Sequence, residues 1–588
     1  MSVQINEISL LIDDIPVTVS AGTTILHAAE KIGIKIPRLC YHPALTMQGS
    51  CRVCIVEVEG LSSFVTACST PVEEGMKVRS ASPEIRQARR DIVELLLDNH
   101  PRECQTCERD GHCELQNLAY ETGVRERLFE GERKEFAKDE NCSSVIRDPE
   151  KCVLCGRCVR VCAEVQGVKN LSQHGRGFHT VVTPANGKTM DQSTCIQCGQ
   201  CINVCPTAAF LERNATDQVW EALDDSSKHV VVHVAPAIRA AIGEGFGLPP
   251  GTSTTKQLPV ALRRLGFDRV FDTNVAADLT IWEEAHEFVH RLKNGGPLPL
   301  LTSCSPGWIS FLERFYPELI PNASTCKSPM SMLSTMIKTY YAEKNSIDPK
   351  DIFVVSVMPC VAKKFEAARP ELAMEDGTPY TDAVITTREL IWMIKSFGMN
   401  LAKLPEGEFD TPLGISSGSA DIFGTTGGVM EATLRAVCEM VTGNPPECLE
   451  FKDVRAVEGL RRSSIELDGS TFNLGVANGL NNAKILLDEL VSGKSDLHVM
   501  EVMACPGGCV GGGGQPYPPE GERVLNPELI AKRAQALYTI DEAKTIRQSL
   551  ASPVVKQLYE EFLGEPSGEK AHKLLHTNFQ ARLPRGIR

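Results

Sequence analysis

Between Cys152 and Pro206 the chain writes one cysteine code twice. The first run is Cys152-x2-Cys155-x2-Cys158-x3-Cys162, and the second is Cys195-x2-Cys198-x2-Cys201-x3-Cys205-Pro206. Any fold of this segment must gather these thiols around inorganic centres, which constrains it more than a hydrophobic pattern could. Three thiolates on one tight loop cap three corners of an iron–sulfur cube, and the fourth, on a short helix, reaches the neighbouring cube. Cys152, Cys155, Cys158 and Cys205 are therefore assigned to one [4Fe–4S] cluster, and Cys195, Cys198, Cys201 and Cys162 to a second. Paired zinc knuckles are the competing reading; the duplication and Pro206 favour the cubes. Two cubes side by side conduct electrons, so the question becomes what lies at each end.

The chain holds 23 cysteines in 588 residues, clustered at ligand spacings, which indicates metal rather than disulfides and a reducing compartment. A net charge of −14 argues against nucleic acid or an anionic membrane as partner. No basic, apolar leader opens the sequence, and no uncharged apolar run approaches the ~20 residues of a membrane span. The expected location is cytoplasmic.

Residues 1–80 alternate apolar and polar in short runs broken by Gly and Pro, with a helix near 25–32, so they read as a small β-rich domain. Its cysteines fall at Cys40-x10-Cys51-x2-Cys54-x13-Cys68, related to plant-type [2Fe–2S] spacing but with a wider first gap. That gap resembles the N-terminal domain of the large peripheral subunit of respiratory NADH dehydrogenase. A four-cysteine zinc site is the alternative. Next comes His100-x3-Cys104-x2-Cys107-x5-Cys113, after the helical run at 92–97. Three thiolates need a fourth donor, which neutral imidazole supplies. Zinc fits this set chemically; the same resemblance favours a His-ligated [4Fe–4S] cluster over 81–120. A charged stretch at 121–140, including Arg127 and Glu130, reads as a solvated connector into a two-cluster ferredoxin-like module at 141–213.

Beyond Cys205 the cysteines recur in three separated motifs: Thr302-Ser303-Cys304-Ser305-Pro306-Gly307-Trp308, Met358-Pro359-Cys360-Val361-Ala362-Lys363-Lys364-Phe365-Glu366, and Met503-Ala504-Cys505-Pro506-Gly507-Gly508-Cys509 followed by Gly511–Gly514. Apolar runs at 228–236 and 352–358 read as buried strands that end at motifs, with helical runs at 328–343 and 387–397 between them. Alternating strands and helices imply an α/β domain with its chemistry at the carboxyl ends of strands. The glycines around Cys505 and Cys509 let backbone approach a bulky inorganic centre.

In these three motifs the chain resembles the [FeFe]-hydrogenases, and with the N-terminal cluster motifs it is similar to the catalytic subunits of their NADP-reducing members over nearly its whole length. The resemblance implies an H-cluster: a [4Fe–4S] cube joined through one cysteine to a di-iron unit with CO, cyanide and a bridging dithiolate. It assigns Cys360, Cys505 and bridging Cys509 as ligands. It gives Lys363 a hydrogen bond to a cyanide, with Glu366 holding Lys363; a surface i, i+3 pair is the plainer alternative. Met358, Met503 and Pro236 would pack around the di-iron unit. Glu284, Glu287 and Ser324 would carry protons to and from it; without the resemblance, Glu284 and Glu287 read as one solvated helix face. The first motif departs from the family pattern of two adjacent cysteines. Gap-free spacing puts Ser305 at the cube-ligand position and Cys304 at the relay position; a thiolate is the better ligand, so Cys304 as the cube ligand, with Ser305 as relay, stays open.

The expected architecture is multidomain, α+β and α/β: a [2Fe–2S] domain at 1–80, a histidine-plus-three-cysteine domain at 81–120, the ferredoxin-like module at 141–213, an H-cluster domain at 220–545 and a helical, small-subunit-like tail at 546–588. Cys142, Cys326, Cys438 and Cys448 match no ligand set and read as small core residues. The implied activity is reversible H2 oxidation, with electrons passed through one [2Fe–2S] and three accessory [4Fe–4S] clusters. Neither Gly511–Gly514 nor Gly424-Thr425-Thr426-Gly427-Gly428 has dinucleotide-fingerprint spacing. NAD(P) is thus expected on a flavin-bearing partner subunit, with small [2Fe–2S] subunits beside it. Ferredoxin is a further candidate partner, in which case the complex would split electron pairs between acceptors.

Overall fold

The computed structural model describes residues 7–126, 129, 131–446, 448–455, 459–518 and 523–582. Arg127 and Glu130 of the charged connector, and the first and last six residues, lie outside them.

The N-terminal unit is a five-stranded sheet in the order Ile15–Ser20, Glu7–Ile12, Lys77–Arg79, Ile55–Val58, Val65–Thr66, with the helix Ile25–Lys31 packed on it. Alternate residues such as Leu10, Ile12, Val17 and Val19 are buried, as period-two patterning requires. Helices Pro83–Asp98 and Glu114–Thr122 pack against each other and carry the His100 segment between them. Ser82 caps the first of these by accepting from Ile85 N at 3.2 Å. The two-run module is built on paired strands Val145–Arg147 and Phe210–Glu212, with short helices after each cysteine loop.

The large domain carries two sheets. One is wholly parallel, in the order Arg269–Asp272, His229–Val234, Ile352–Met358, Ala383–Thr386. Its strands are buried on both faces, which is why they read as continuous apolar runs. The other places Leu300–Leu301 and Ser470–Asn478 parallel to Val499–Met503, with Leu460–Leu467 pairing antiparallel at the edge. Four motifs leave the carboxyl ends of parallel strands: Ala235-Pro236, Cys304-Ser305, Pro359-Cys360 and Ala504-Cys505. They converge on one cavity between the sheets. Pro553–Leu558 and Glu569–Leu575 of the C-terminal segment pack onto this domain, burying Val555, Leu558 and Leu575 with Leu279, Met332 and Met336.

Three of the four leftover cysteines fit the core reading: Cys142, Cys326 and Cys438 are buried. Cys448 is exposed, in an irregular segment after the helix Gly428–Thr442, so it is not a core residue. Cys326 packs in the same core as Leu279, Met332 and Met336, and its Sγ also faces the Glu287 carboxylate.

Candidate active site and electron wire

The cavity, with its open mouth, spans about 840 Å³ and has mainly apolar walls. Cys360, Cys505 and Cys509 line it, together with Cys304, Ser305 and Lys363. Pro236, Met358, Met503 and Phe423 supply apolar walls. Burial pushes all three thiols up, Cys509 to about 12, so each keeps its proton until a metal takes its place.

Local backbone accounts for this convergence. Strand Ile352–Met358 stops at Pro359, and the helix Ala362–Ala367 begins two residues past Cys360. Lys363 and Glu366 share one face of that helix, and their charges meet at 2.7 Å. Lys363 Nζ also donates to the Cys304 carbonyl at 3.2 Å. Glu366 accepts from Ser331 Oγ at 2.7 Å and from Ser328. The pair is buried, which excludes the surface reading. A Cβ at Gly512 would stand 2.2 Å from the Pro359 carbonyl, and one at Gly508 would stand 2.8 Å from Thr426 N. Only glycine therefore brings this loop against its neighbours. Three thiols, a fixed ammonium and an apolar chamber fit a bulky, anionic iron–sulfur group with further small ligands.

Cys304 and Ser305 face different neighbours. Ser305 Oγ accepts from Ala504 N at 3.4 Å, beside Cys505. Cys304 packs with Phe423 and Met503. Burial first, and the nearby Glu284 carboxylate second, push its thiol well up. Glu284 itself is pushed up to about 8 by burial and by Glu287. Both glutamates sit on the helix Asn274–Asn294. Ser324 Oγ donates to Glu287 Oε2 at 2.9 Å and also hydrogen-bonds Glu284. The structure thus brings together Cys304, Glu284, Ser324 and Glu287.

Several residues to which the sequence reading gave no part in the site join this group. Arg291 Nη2 holds Glu287 Oε1 at 2.5 Å. Thr325 N donates to Glu287 Oε2 at 3.1 Å, and Cys326 Sγ stands 3.9 Å from the same oxygen. Glu501, pushed up to about 7 by burial, accepts from Gly427 N and Met430 N at 2.7 Å each. Its carboxylate thereby occupies the N-terminus of the helix Gly428–Thr442. Arg291 and Cys326 had only helical spacing or proximity to Ser324 to betray them.

The cysteine runs behave as their spacing predicts. Cys152, Cys155, Cys158 and Cys205 surround one cavity, and Cys162, Cys195, Cys198 and Cys201 surround another. Cys198 also lines the 840 Å³ cavity, so the second run abuts the catalytic chamber. Gln200 Nε2 and Asn203 Nδ2 donate to the Gly511 and Gly512 carbonyls at 3.1 and 3.3 Å, fixing that junction. Arg160 Nη2 bridges the Cys40 and Cys155 carbonyls at 2.7 and 3.3 Å. Arg109 Nη2 reaches the Cys205 carbonyl at 3.0 Å from the segment between Cys107 and Cys113. Two N-terminal cysteine sites therefore converge on the first run. In one, Cys40 hydrogen-bonds Cys51, and Cys54 hydrogen-bonds Cys68. In the other, Cys107 is near enough to both Cys104 and Cys113 to influence their charge. His100 is buried with Nδ1 unpartnered, and burial pulls it down to about 4, which leaves the neutral imidazole a ligand requires.

Comparison with known proteins agrees with this plan. Residues 228–513 match the family described as iron only hydrogenase large subunit, C-terminal domain. Further matches are a 2Fe-2S iron-sulfur cluster binding domain at 6–83, the NADH-ubiquinone oxidoreductase-G iron-sulfur binding region at 89–127 and a 4Fe-4S dicluster domain at 151–209. The iron hydrogenase small subunit family matches 527–582, beginning before the boundary expected at 546. The chain is 46% identical to the NADP-reducing hydrogenase subunit HndD of Solidesulfovibrio fructosivorans, over 98% of this chain and 99% of that one. It is 40% identical to iron hydrogenase 1 of Clostridium pasteurianum, over 97% and 100% respectively. A solved variant of HydA1 from Chlamydomonas reinhardtii superposes with a TM-score of 0.56 at 46% identity, covering 62% of this chain and 98% of that one. Among the described residues, no helix is long and apolar enough to cross a membrane.

Proposed function

Because the chain belongs to the [FeFe]-hydrogenases, as a catalytic subunit related to the NADP-reducing ones, we propose a division of labour among its residues and between it and its partners. Cys360, Cys505 and Cys509 would hold the H-cluster, with Cys509 as the bridge. When bound, that group supplies the centre at which H2 and two protons with two electrons interconvert. The chain's own residues do the rest. Lys363, braced by Glu366, presents a fixed positive charge to the anionic ligands. Met358, Met503, Pro236 and Phe423 keep water out of the chamber.

Cys304 is the proton carrier nearest the chamber, and Ser305 stands at the cube. The different neighbours of the two side chains support this order. Protons pass between Cys304 Sγ, Glu284, Ser324 Oγ and Glu287. A carboxyl held near pH 8 suits a group that must both take and give a proton close to neutrality.

The observation that carries the electron path is Cys198 on the chamber wall, which supports a second cube beside the H-cluster site. Counting the thiol sets gives one [2Fe–2S] cluster, three accessory [4Fe–4S] clusters and the H-cluster, about 20 iron atoms per loaded chain. The two N-terminal sites converge on the first run as a fork. We assign a flavin- and NAD(P)-bearing subunit to one or both tips, small [2Fe–2S] subunits beside it, and ferredoxin as a candidate second acceptor, all in the cytoplasm. Occupation of the helix terminus at Gly427 by Glu501 supports placing the nucleotide on another chain. The test is a dye assay on the isolated, matured chain. It should reduce an artificial acceptor with H2, leave NAD⁺ and NADP⁺ untouched, and reduce them only when a flavin-bearing partner is added. Direct nucleotide reduction by the single chain would contradict the proposal.

A further inference from the structure

We propose that Cys326, His576 and His572 form a second proton branch, which joins the relay at Glu287 and leaves the protein through its small-subunit-like segment. The branch deepens the relay reading above and rests on Glu287 being part of it.

The geometry centres on a thiol. Cys326 is fully buried, with Sγ placed 3.9 Å from Glu287 Oε2 as a donor. That sulfur, a Glu287 oxygen and a His576 ring nitrogen all lie within 4.8 Å of one another. The span from sulfur to imidazole suits one bridging water or a small rotation. His576 is buried, with Nδ1 at 2.8 Å from Thr325 Oγ1 and Nε2 at 3.0 Å from Glu283 Oε2. Its ring stacks on exposed His572 at 4.6 Å between centroids. Proton-bearing side chains therefore line a route from solvent to the relay, in which the step between the stacked rings of His572 and His576 takes a bridging water.

Backbone pairing fixes the arrangement. Cys326 and His576 form an antiparallel bridge, flanked by Lys327 N to the Leu575 carbonyl and Thr577 N to the Thr325 carbonyl, each at 2.8 Å. The C-terminal segment thus delivers its histidine to a stated atom of the catalytic domain.

Electrostatics give each member a role. Burial, then the charges of Glu287, Glu284 and Glu283, push the Cys326 thiol well up, so it keeps a proton to donate. Burial alone would raise Glu283, but hydrogen bonds from His576 and Tyr559 hold it below its ordinary value. Glu283 is therefore an anion that holds His576 Nε2 at 3.0 Å. The groups facing His576 are Glu283 and Glu287 from the long helix, Cys326 from its loop and His572 from its own helix, with Tyr559 of the C-terminal segment bonded to the other oxygen of Glu283. Lys327, pulled down to about 8 by burial, adjoins through the backbone. On the inward step His576 gives up a proton as Cys326 passes its own to Glu287; one S–H bond breaks as another forms, and the outward step reverses this. Arg291, the other neighbour of Glu287, offers only donors and no acceptor for an incoming proton, so it cannot take this role.

The test uses the matured, cluster-loaded chain, with turnover measured from pH 5 to 9 in H2O and D2O and the infrared bands checked for loading. Cys326→Ala and His576→Gln should slow turnover about 3- to 10-fold below pH 7, a part of the effect of a whole acid–base group. They should also raise the solvent isotope effect, with the bands unchanged. Cys326→Ser, which still carries a proton, should recover most of the rate. His572→Gln, at an exposed site free of folding demands, should move the pH profile the same way by a smaller factor. Unchanged profiles and isotope effects in Cys326→Ala and His572→Gln would overturn the branch, as would a serine variant no better than alanine. If those variants are silent while Glu287→Ala abolishes turnover, the branch alone fails. If Glu287→Ala is itself fully active, the relay reading fails and the branch falls with it.

Discussion

Lys363 Nζ lies 2.7 Å from Glu366 Oε2, with both groups buried at the edge of the thiol-lined chamber. The ammonium also reaches the Cys304 carbonyl, so one cation ties the second motif to the first. Taking charges out of water is costly unless their hydrogen bonds are complete, and here two serines satisfy the remaining Glu366 oxygen. The pair is an orienting device for whatever anionic ligand faces Lys363.

Glu366→Gln should therefore weaken the site in two ways. Breaking a buried pair costs about 3–5 kcal/mol, and Lys363 loses its orientation. Thermal unfolding should shift down, and infrared bands from the cyanide ligands should broaden or move. Unchanged bands and stability would show that the pair does not brace the cofactor.

Cys304→Ala should keep the H-cluster bands and lose turnover by about 100-fold or more, the range of a lost acid–base group. Ser305→Ala should instead disturb the cube. Loss of all H-cluster bands in Cys304→Ala would assign Cys304 to the cube and reverse the order.

Glu284 carries a pH signature. Its folded value near 8 lies above an unfolded carboxyl near 4.3. The folded state thus binds the proton more tightly. The stability this contributes is complete below about pH 4.3 and is lost as pH rises through 8. Glu284→Gln should flatten the decline of unfolding temperature with pH across that window. It should also remove a fall in H2 evolution centred near pH 8. Parallel curves for parent and variant would place the carboxyl elsewhere in pKa.

Gly512→Ala should prevent cofactor retention, because the added Cβ would meet the Pro359 carbonyl at 2.2 Å. Iron analysis should show loss at this site and retention in the accessory clusters. Full loading would mean that the loop can shift without releasing the group.

Much of this was legible because thiol ligands sit close in sequence. The two runs fold as local loops, so spacing alone pairs Cys205 with the first run and Cys162 with the second, and the two cavities group them in that way. The strand ends at Val234 and Met358 were legible because buried parallel strands read as apolar runs stopped by Ala235-Pro236 and Pro359. Cys326 and His576 were not. Thr325 and His576 lie 251 residues apart, and no local pattern announces such a pairing. Glu283 was missed because helical spacing puts both it and Glu284 within reach of Glu287 without separating their roles. The exposure of Cys448 was missed because a lone cysteine carries no pattern at all.

The central claim is that Cys360, Cys505 and Cys509 hold an H-cluster in the chamber beside Cys198. An infrared spectrum of the anaerobically matured chain, paired with that of Cys509→Ala, tests it most directly. The account predicts CO and cyanide bands in the parent, and their absence in the variant while the accessory clusters stay loaded. A parent that carries its full complement of about 20 iron atoms yet shows no such bands, or a variant that keeps them, would contradict it.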